Sequence, residues 1–398
     1  MDRYFRQLKE MVCLEAKGWH SDKRVWVAAG GTAGHLLPAV GVAESLVRAG
    51  LPRDSVGFLG SKRPLEAQIL APYGFEIKEL EVSGLIRSLS LKNAMAILKF
   101  LSATLGLWRE ARRTRPMAVV SFGGYFSFPP IVAARLAGIP SVVVETNAVA
   151  GLANKLAAKV ATRVFASSES SGMKNADLIG VPLRPEMGSG GEALDGSPSF
   201  RSVHGIGRDE LVVCVFGGSL GSRTINITLI ELLEKWQSGD SQHPWVIYHV
   251  IGSRDFADLL PRVKALTEGG SNFRYIYSEF DPEIYKAIFA SNLVVSRAGS
   301  GTLAELGYFG KPSILVPLPN APGDHQAKNA RTLAEVGAAR VISDNELTWE
   351  FLGAEIERLL GDPVLLTAMS EESAKAFKGD GSERVAEEVL ALTGKGVS

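Results

Sequence analysis

The chain has 398 residues, balances 43 lysines and arginines against 43 aspartates and glutamates, and contains two cysteines. That length exceeds one ordinary hydrophobic core, so two domains are expected. The charge balance excludes a global nucleic-acid footprint, and the distant pair Cys13 and Cys214 excludes a disulfide framework or a cysteine-rich metal cluster.

Residues 1–23 carry a charge every few positions and no apolar stretch of signal-peptide type, so they read as a charged extension without an assigned role. No window approaches the roughly 20 apolar residues of a spanning helix. The fold proper starts at Arg24. Val25 to Ala29 reads as a short buried strand, Gly30-Gly31-Thr32-Ala33-Gly34-His35 as a turn, and Pro38 to Ala49 as a helix. The glycines permit positive φ and close backbone approach, but their spacing is not that of the dinucleotide fingerprint. His35, at the mouth of this turn, is either a capping or packing histidine or a general base for a substrate hydroxyl docked beside it.

Further βα units follow, with strands at 56–59 and 77–82 and a helix at 63–71. The segment from Leu91 to Arg115 spreads its apolar residues over two stripes. Leu91, Met95, Leu98, Leu105 and Trp108 form one, and Ile97, Phe100 and Leu107 lie to the side, bordered by Lys92, Lys99, Arg109, Arg112, Arg113 and Arg115. It fits a well-buried helix with a solvated basic end, or a helix that also offers apolar side chains and cations to an anionic membrane surface. A strand at 119–122, the Gly123-Gly124-Tyr125 turn and a helix at 130–136 come next. The strand at 141–144 then ends in Glu145-Thr146-Asn147, polar residues at the carboxyl edge of a sheet, where open α/β folds bind ligands. Strand and helix alternating this regularly means a parallel, doubly wound sheet.

Residues 186–200 are rich in Gly and Ser and read as a linker. A second α/β set then restarts with a strand at 211–216, the turn Gly217 to Ser222 and a helix at 225–236. Strands at 245–251 and 273–277 lead into Glu279-Phe280-Asp281-Pro282 and a helix at 284–290. The short strand Leu293 to Val295 enters the turn Arg297 to Gly301, followed by a helix from Thr302 to Gly310, a Pro-punctuated strand and a loop that runs to Asn329. A helix opening after a Gly-rich turn points unpaired N–H groups and its positive dipole end at one spot, which favours a diphosphate; Glu305 can reach ribose hydroxyls from the first turn. A last strand at 338–342 and helices over 349–392 complete the reading. Two such halves suggest two sheets facing each other across a cleft, with two substrates meeting there, one of them a nucleotide diphosphate.

Seven motifs in order, GGTAGHLLPAV, SFGGYFSFPP, ETNAVAGLANKLAAKVATRV, VPLR, FGGSLGSRTIN, SRAGSGTLAELGYFGKPSILVP and DHQAKNA, resemble the MurG family of N-acetylglucosaminyltransferases from Val25 to about Leu360. The resemblance implies the GT-B architecture: two Rossmann-like doubly wound α/β domains facing across a cleft. Residues 24–185 would form the acceptor and membrane domain, 201–363 the UDP-sugar domain, and 364–398 helices packing back on the first. The implied reaction is inverting transfer of N-acetylglucosamine from UDP-N-acetylglucosamine to lipid I, giving lipid II for peptidoglycan. The implied setting is the cytoplasmic face of the inner membrane, on an anionic surface, with cell-wall synthesis and division proteins as further partners. Neither a cofactor, a metal nor nucleic acid is implied.

Carried over by motif, Thr32, Ala33, Gly34 and Asn147 contact the donor from the first domain. Arg184, Ser219, Asp281, Ser300, Gly301, Thr302, Leu303, Ala304, Glu305, His325 and Gln326 contact it from the second. The equivalent of Glu305 binds the ribose and that of Gln326 the sugar hydroxyls. His35 and Glu145 are the candidate bases, and Tyr125 is the acceptor-side tyrosine. Val144-Glu145-Thr146-Asn147 replaces the family's common His-Glu-Gln-Asn, which shifts weight to His35 and Glu145. Ala33 replaces a usual glycine, and His325 stands where some relatives have a second glutamine. The alternatives are a related glycosyltransferase with another lipid acceptor, a sugar-nucleotide epimerase, and a non-catalytic UDP-sugar binder. The apolar and basic segment 91–115 favours a lipid acceptor.

Overall fold

The computed structural model describes residues 24–61, 63–80, 82, 91–125, 128–189, 199–239, 243–268 and 273–394; the extension 1–23 and most of the expected linker lie outside them. The chain forms two compact units, the first made of residues up to Thr146, Ala150–Pro182 and the part from Gly381, the second of Asn147–Val149 and Leu183–Asp380.

The first unit holds a seven-stranded sheet of β1 (Val25–Ala28), β2 (Val56–Gly60), β3 (Glu76–Glu79), β4 (Ala118–Ser121), β5 (Ser141–Glu145), β6 (Arg163–Ala166) and β7 (Asp177–Leu178). The strands pair in parallel in the order β3-β2-β1-β4-β5-β6-β7, and Val25 registers with both Val56 and Ala118. Strand β1 is apolar throughout because both of its faces are covered. Its residues alternate: Val25 and Val27 join Leu36, Val40 and Leu46 of α1 (Ala33–Arg48) on one face. Trp26 and Ala28 join Leu107 of α3 (Leu91–Thr114) and Ile131 of α4 (Phe128–Ala137) on the other. Short helices α2 (Pro64–Leu70) and α5 (Leu152–Ala157) complete the crossovers.

Helix α1 begins at Ala33, ahead of the expected Pro38. Thr32 keeps an extended N-cap backbone (φ −149°, ψ 156°), and the helix runs through Pro38, which costs one backbone bond in its second turn. His35 therefore sits in the first helical turn instead of the loop. Helix α3 buries Leu107 and Ala111 but exposes Ile97, Leu98, Leu101 and Leu105 by 44–61%, so the well-buried alternative fails over its described first half. Among the described residues no helix is long and apolar enough to cross a membrane.

The second unit repeats the pattern with six parallel strands: β8 (Leu211–Phe216), β9 (Trp245–Val250), β10 (Arg274–Ser278), β11 (Leu293–Ser296), β12 (Ser313–Leu315) and β13 (Ala339–Val341). Their order is β10-β9-β8-β11-β12-β13, so strands one to six of each sheet follow the same sequence. Val213 and Val215 of β8 pack on Ile225, Leu229 and Trp236 of α7 (Arg223–Ser238). Val212 and Cys214 face Ala298 and Leu306 on the other side. Helix α6 (Phe200–Val203) precedes this sheet, and α8 (Phe256–Glu268), α9 (Ile284–Ala290) and α10 (Ser300–Phe309) connect its strands. The expected loop after β12 stops short of Asn329: Asp324 adopts a left-handed backbone (φ 56°), and His325 opens α11 (His325–Glu335). Helices α12 (Trp349–Leu360) and α13 (Pro363–Ala376) stay with the second unit, whereas α14 (Ser382–Leu392) buries Val385, Val389 and Leu390 in the core of the first.

Candidate active site

In the first unit the Gly-rich turn links β1 to α1. His35 Nδ1 lies 3.3 Å from the Gly30 carbonyl and 3.5 Å from Thr32 Oγ1. A carbonyl only accepts, so the Gly30 contact calls for Nδ1–H and places the basic lone pair of the neutral ring on Nε2. The turn rests on a residue that the sequence reading passed over. Glu66 is 2% exposed; its Oε1 accepts from the Gly31 N–H at 2.6 Å and from Ser61 Oγ at 2.5 Å, and its Oε2 accepts from the Ser61 N–H at 2.7 Å. Arg63 donates to the Gly31 carbonyl.

The second turn of this unit, Gly123-Gly124-Tyr125, has positive φ at both glycines (98° and 84°) and presents a part-exposed Tyr125. Glu145, expected as an alternative base, ends β5 buried, with Oε2 accepting from Asn154 Nδ2 at 2.9 Å and from the Gly151 N–H at 3.3 Å. A Cβ on Gly123 would stand 3.0 Å from the same Asn154 amide. Glu145 thus fixes the Asn154 amide, which fills the space beside Gly123. Asn147 belongs to the second unit, where its Oδ1 is 3.4 Å from Asn329 Nδ2 and the Ala148 N–H donates to Asn329 Oδ1 at 2.8 Å.

In the second unit, α10 starts at Ser300, and helix geometry leaves the N–H groups of its first turn without intrahelical acceptors. Glu305 is buried beside Arg184, whose Nε and Nη2 both reach Oε1, at 2.8 and 2.7 Å. The remaining Nη1 of Arg184 donates to the Pro282 carbonyl at 3.2 Å, and the guanidinium lies 5.4 Å from the Tyr285 ring. Oε2 of Glu305 meets no protein donor among the described residues. Gln326 ties two strand ends together, its Oε1 accepting from the Ala298 and Leu318 N–H groups at 3.2 and 2.9 Å, which turns the amide nitrogen away from both. Gly301, Thr302, Leu303 and Ala304 line the helix start, half-buried, and His325 heads α11 next to Gln326. Asp281 is turned inward, taking the Tyr248 hydroxyl at 2.8 Å and the Glu283 N–H at 2.8 Å; burial pushes its carboxyl up from the ordinary value.

The turn from Gly217 to Ser222, with Ser219 near its tip, is closed on itself: a Cβ on Gly217 would stand 2.2 Å from the Ser222 nitrogen. A Cβ on Gly221 (φ 81°) would stand 2.1 Å from the Ile251 carbonyl. That carbonyl accepts from Asn226 Nδ2 at 2.8 Å, while Asn226 Oδ1 meets His249 Nε2 at 3.0 Å and His249 Nδ1 meets the Tyr275 hydroxyl at 2.8 Å. An amide oxygen only accepts, so His249 is the neutral Nε2–H tautomer with both nitrogens satisfied. Burial pushes its pKa down to about 3. Asn226 and Asn329 are part of motifs quoted above, so a signal existed for them; Glu66 and His249 gave none by spacing.

Comparison with known proteins bears on the family and the fold. Residues 25–166 match the glycosyltransferase family 28 N-terminal domain, and residues 212–385 match the glycosyltransferase family 28 C-terminal domain. The UDP-N-acetylglucosamine--N-acetylmuramyl-(pentapeptide) pyrophosphoryl-undecaprenol N-acetylglucosamine transferase of Desulforudis audaxviator is 35% identical over 386 residues, covering 94% of this chain and 99% of its own. The protein of the same name from Shewanella loihica is 32% identical over 377 residues, covering 94% and 98%. The crystal structure of Acinetobacter baumannii MurG superposes with a TM-score of 0.69 at 26% identity, over 92% of this chain and 99% of that one. Full-length coverage by relatives above 30% identity, together with both halves of the family 28 pattern, means that the chain belongs to the MurG family of glycosyltransferases, with the GT-B fold.

Proposed function

We propose that the chain is an inverting glycosyltransferase that moves N-acetylglucosamine from UDP-N-acetylglucosamine to lipid I to form lipid II. The observation that carries this reading is the start of α10, where helix geometry leaves first-turn N–H groups without intrahelical acceptors, the same helix holds Glu305 with Oε2 lacking a protein donor among the described residues, and Gln326 accepts from the neighbouring Ala298 N–H. That set offers a diphosphate its donors, a ribose its acceptor and a sugar hydroxyl its donor. Arg184 acts through Glu305, holding the carboxylate in place, and Asp281, which accepts from the Tyr248 hydroxyl and the Glu283 N–H, fixes the backbone turn that follows it.

The acceptor hydroxyl attacks the anomeric carbon from the face opposite UDP, so one base suffices and no covalent enzyme intermediate forms. His35 Nε2 takes the proton, with Nδ1–H held by the Gly30 carbonyl. Glu145, already accepting from Asn154 and Gly151, is given a structural role at the start of α5. Charge developing on the leaving UDP is offset by the α10 start and the Gly217 to Ser222 turn. The exposed apolar side chains of α3, with Lys99, Arg109, Arg112 and Arg113 on the same helix, support a peripheral seat on an anionic membrane, at the cytoplasmic face where lipid I would be presented.

The test is transfer of labelled N-acetylglucosamine to a short-chain lipid I analogue, with and without EDTA. Transfer that survives EDTA is expected. His35→Ala should lose roughly 100-fold or more in kcat while still binding the donor; near-wild-type turnover in that variant overturns the base assignment. Donor binding without any transfer to lipid I would send the reading to another lipid acceptor.

A further inference from the structure

We infer that Glu66 is a positioning residue for the reaction, setting the orientation of the His35 ring through the Gly30-Gly31 backbone. The inference rests on His35 being the base. Three donors, the Gly31 N–H, the Ser61 N–H and the Ser61 hydroxyl, converge on one buried carboxylate within 2.5–2.7 Å. The space for it is made by two glycines. A Cβ on Gly30 would stand 2.7 Å from Glu66 Oε1, and one on Gly60 would stand 2.4 Å from Oε2. The carboxylate is therefore wedged between the carboxyl ends of β1 and β2, with the backbone of both shaped around it.

The coupling to His35 is short. Gly31, whose N–H the carboxylate holds, is joined by one peptide unit to Gly30, whose carbonyl holds His35 Nδ1. Gly31 has a positive φ of 81° and its own carbonyl is gripped by Arg63, so its N–H and its carbonyl are both fixed by side chains from the start of α2. Without that grip, a two-glycine turn has wide backbone freedom, and the Gly30 carbonyl would not stay aimed at the imidazole. No role at the reacting atoms is assigned to Glu66: among the described residues its hydrogen bonds go to backbone and Ser61 only.

Glu66→Gln is the first test, because it keeps the shape but places an NH2 donor where donors already converge. Turnover should fall roughly 10- to 100-fold, as for a slightly misplaced catalytic group, with KM for UDP-N-acetylglucosamine within about twofold of wild type. In a His35→Ala background the same substitution should change the residual rate by less than about twofold, since its effect runs through the ring. Losses that multiply in the double variant, or a Glu66→Gln enzyme with wild-type kcat, overturn the inference while leaving the base reading intact. Full turnover in His35→Ala alone overturns the base reading, and this inference with it. Should Glu66→Gln fail to fold, Glu66→Asp keeps the charge but is one methylene too short to serve both strand ends; an intermediate kcat loss at unchanged donor KM is expected, and wild-type kcat refutes it.

Discussion

His249 illustrates how a single buried side chain can be fixed by its neighbours. With Tyr275 on one nitrogen and Asn226 on the other, the ring is satisfied only when neutral. Its folded pKa of about 3 lies below the ordinary value of 6.5. Between these values the unfolded chain binds more protons, so stability is full above pH 6.5 and declines as the pH drops toward 3. His204 and His243 are also held low by burial and push in the same direction. By pH 4 the His249 contribution alone is lost to the extent of about 3 kcal/mol. Thermal melts from pH 7 to pH 4 should show a falling Tm, and His249→Gln should flatten that slope while lowering Tm at pH 7. The chemistry of such residues was only half legible in the sequence. His35 and Glu305 announced themselves by lying at the mouths of Gly-rich turns. Glu66 did not, because its partners are mainly backbone N–H groups contributed by two strands 30 residues apart in sequence, Gly31 and Ser61.

Strands and helices with strong apolar runs were readable almost to the residue, as β8 (Leu211–Phe216) and α9 (Ile284–Ala290) show. Short or polar elements were not. β7 consists of Asp177 and Leu178, both exposed, and carries no periodicity to find. α11 was hidden because its residues read as polar loop, and a left-handed Asp324 starts it. The Gly-rich turns themselves make a firm prediction: Gly221→Ala places a methyl group against the Ile251 carbonyl at a positive φ. A loss of at least about 2 kcal/mol in denaturant unfolding is expected, together with weaker UDP binding. Helix α3 makes another. Leu98→Glu and Leu101→Glu change exposed side chains, so the fold should tolerate them. Their binding to vesicles containing anionic lipid should drop about tenfold or more, with transfer to a short-chain soluble acceptor unchanged. Equal vesicle binding in the double variant would remove α3 from the membrane seat.

Each unit carries its own sheet, with the same order among its first six strands and a core on each face. The two-sheet plan was legible from the alternation of strands and helices; where the chain returns to the first unit was not, since α13 and α14 are consecutive helices and neither carries a local signal of the sheet it packs on. Packing separates them: α13 lies on α10, and α14 lies on α1 with Val389 fully buried. Val389→Asp therefore buries an unpaired carboxylate in the first unit. It should lower that unit's unfolding midpoint by the equivalent of about 3 kcal/mol or more, leaving UDP binding by the second unit measurable. The same packing sets an order of assembly on the ribosome. Two hundred residues separate Pro182 from Ser382, and at about 5–20 residues per second they take roughly 10–40 s to emerge. Throughout that interval the nascent first sheet is made but the apolar flank of α1 lacks its cover, so the half that is synthesised first is the half that finishes folding last, and it is the part for which a chaperone has the most time to matter.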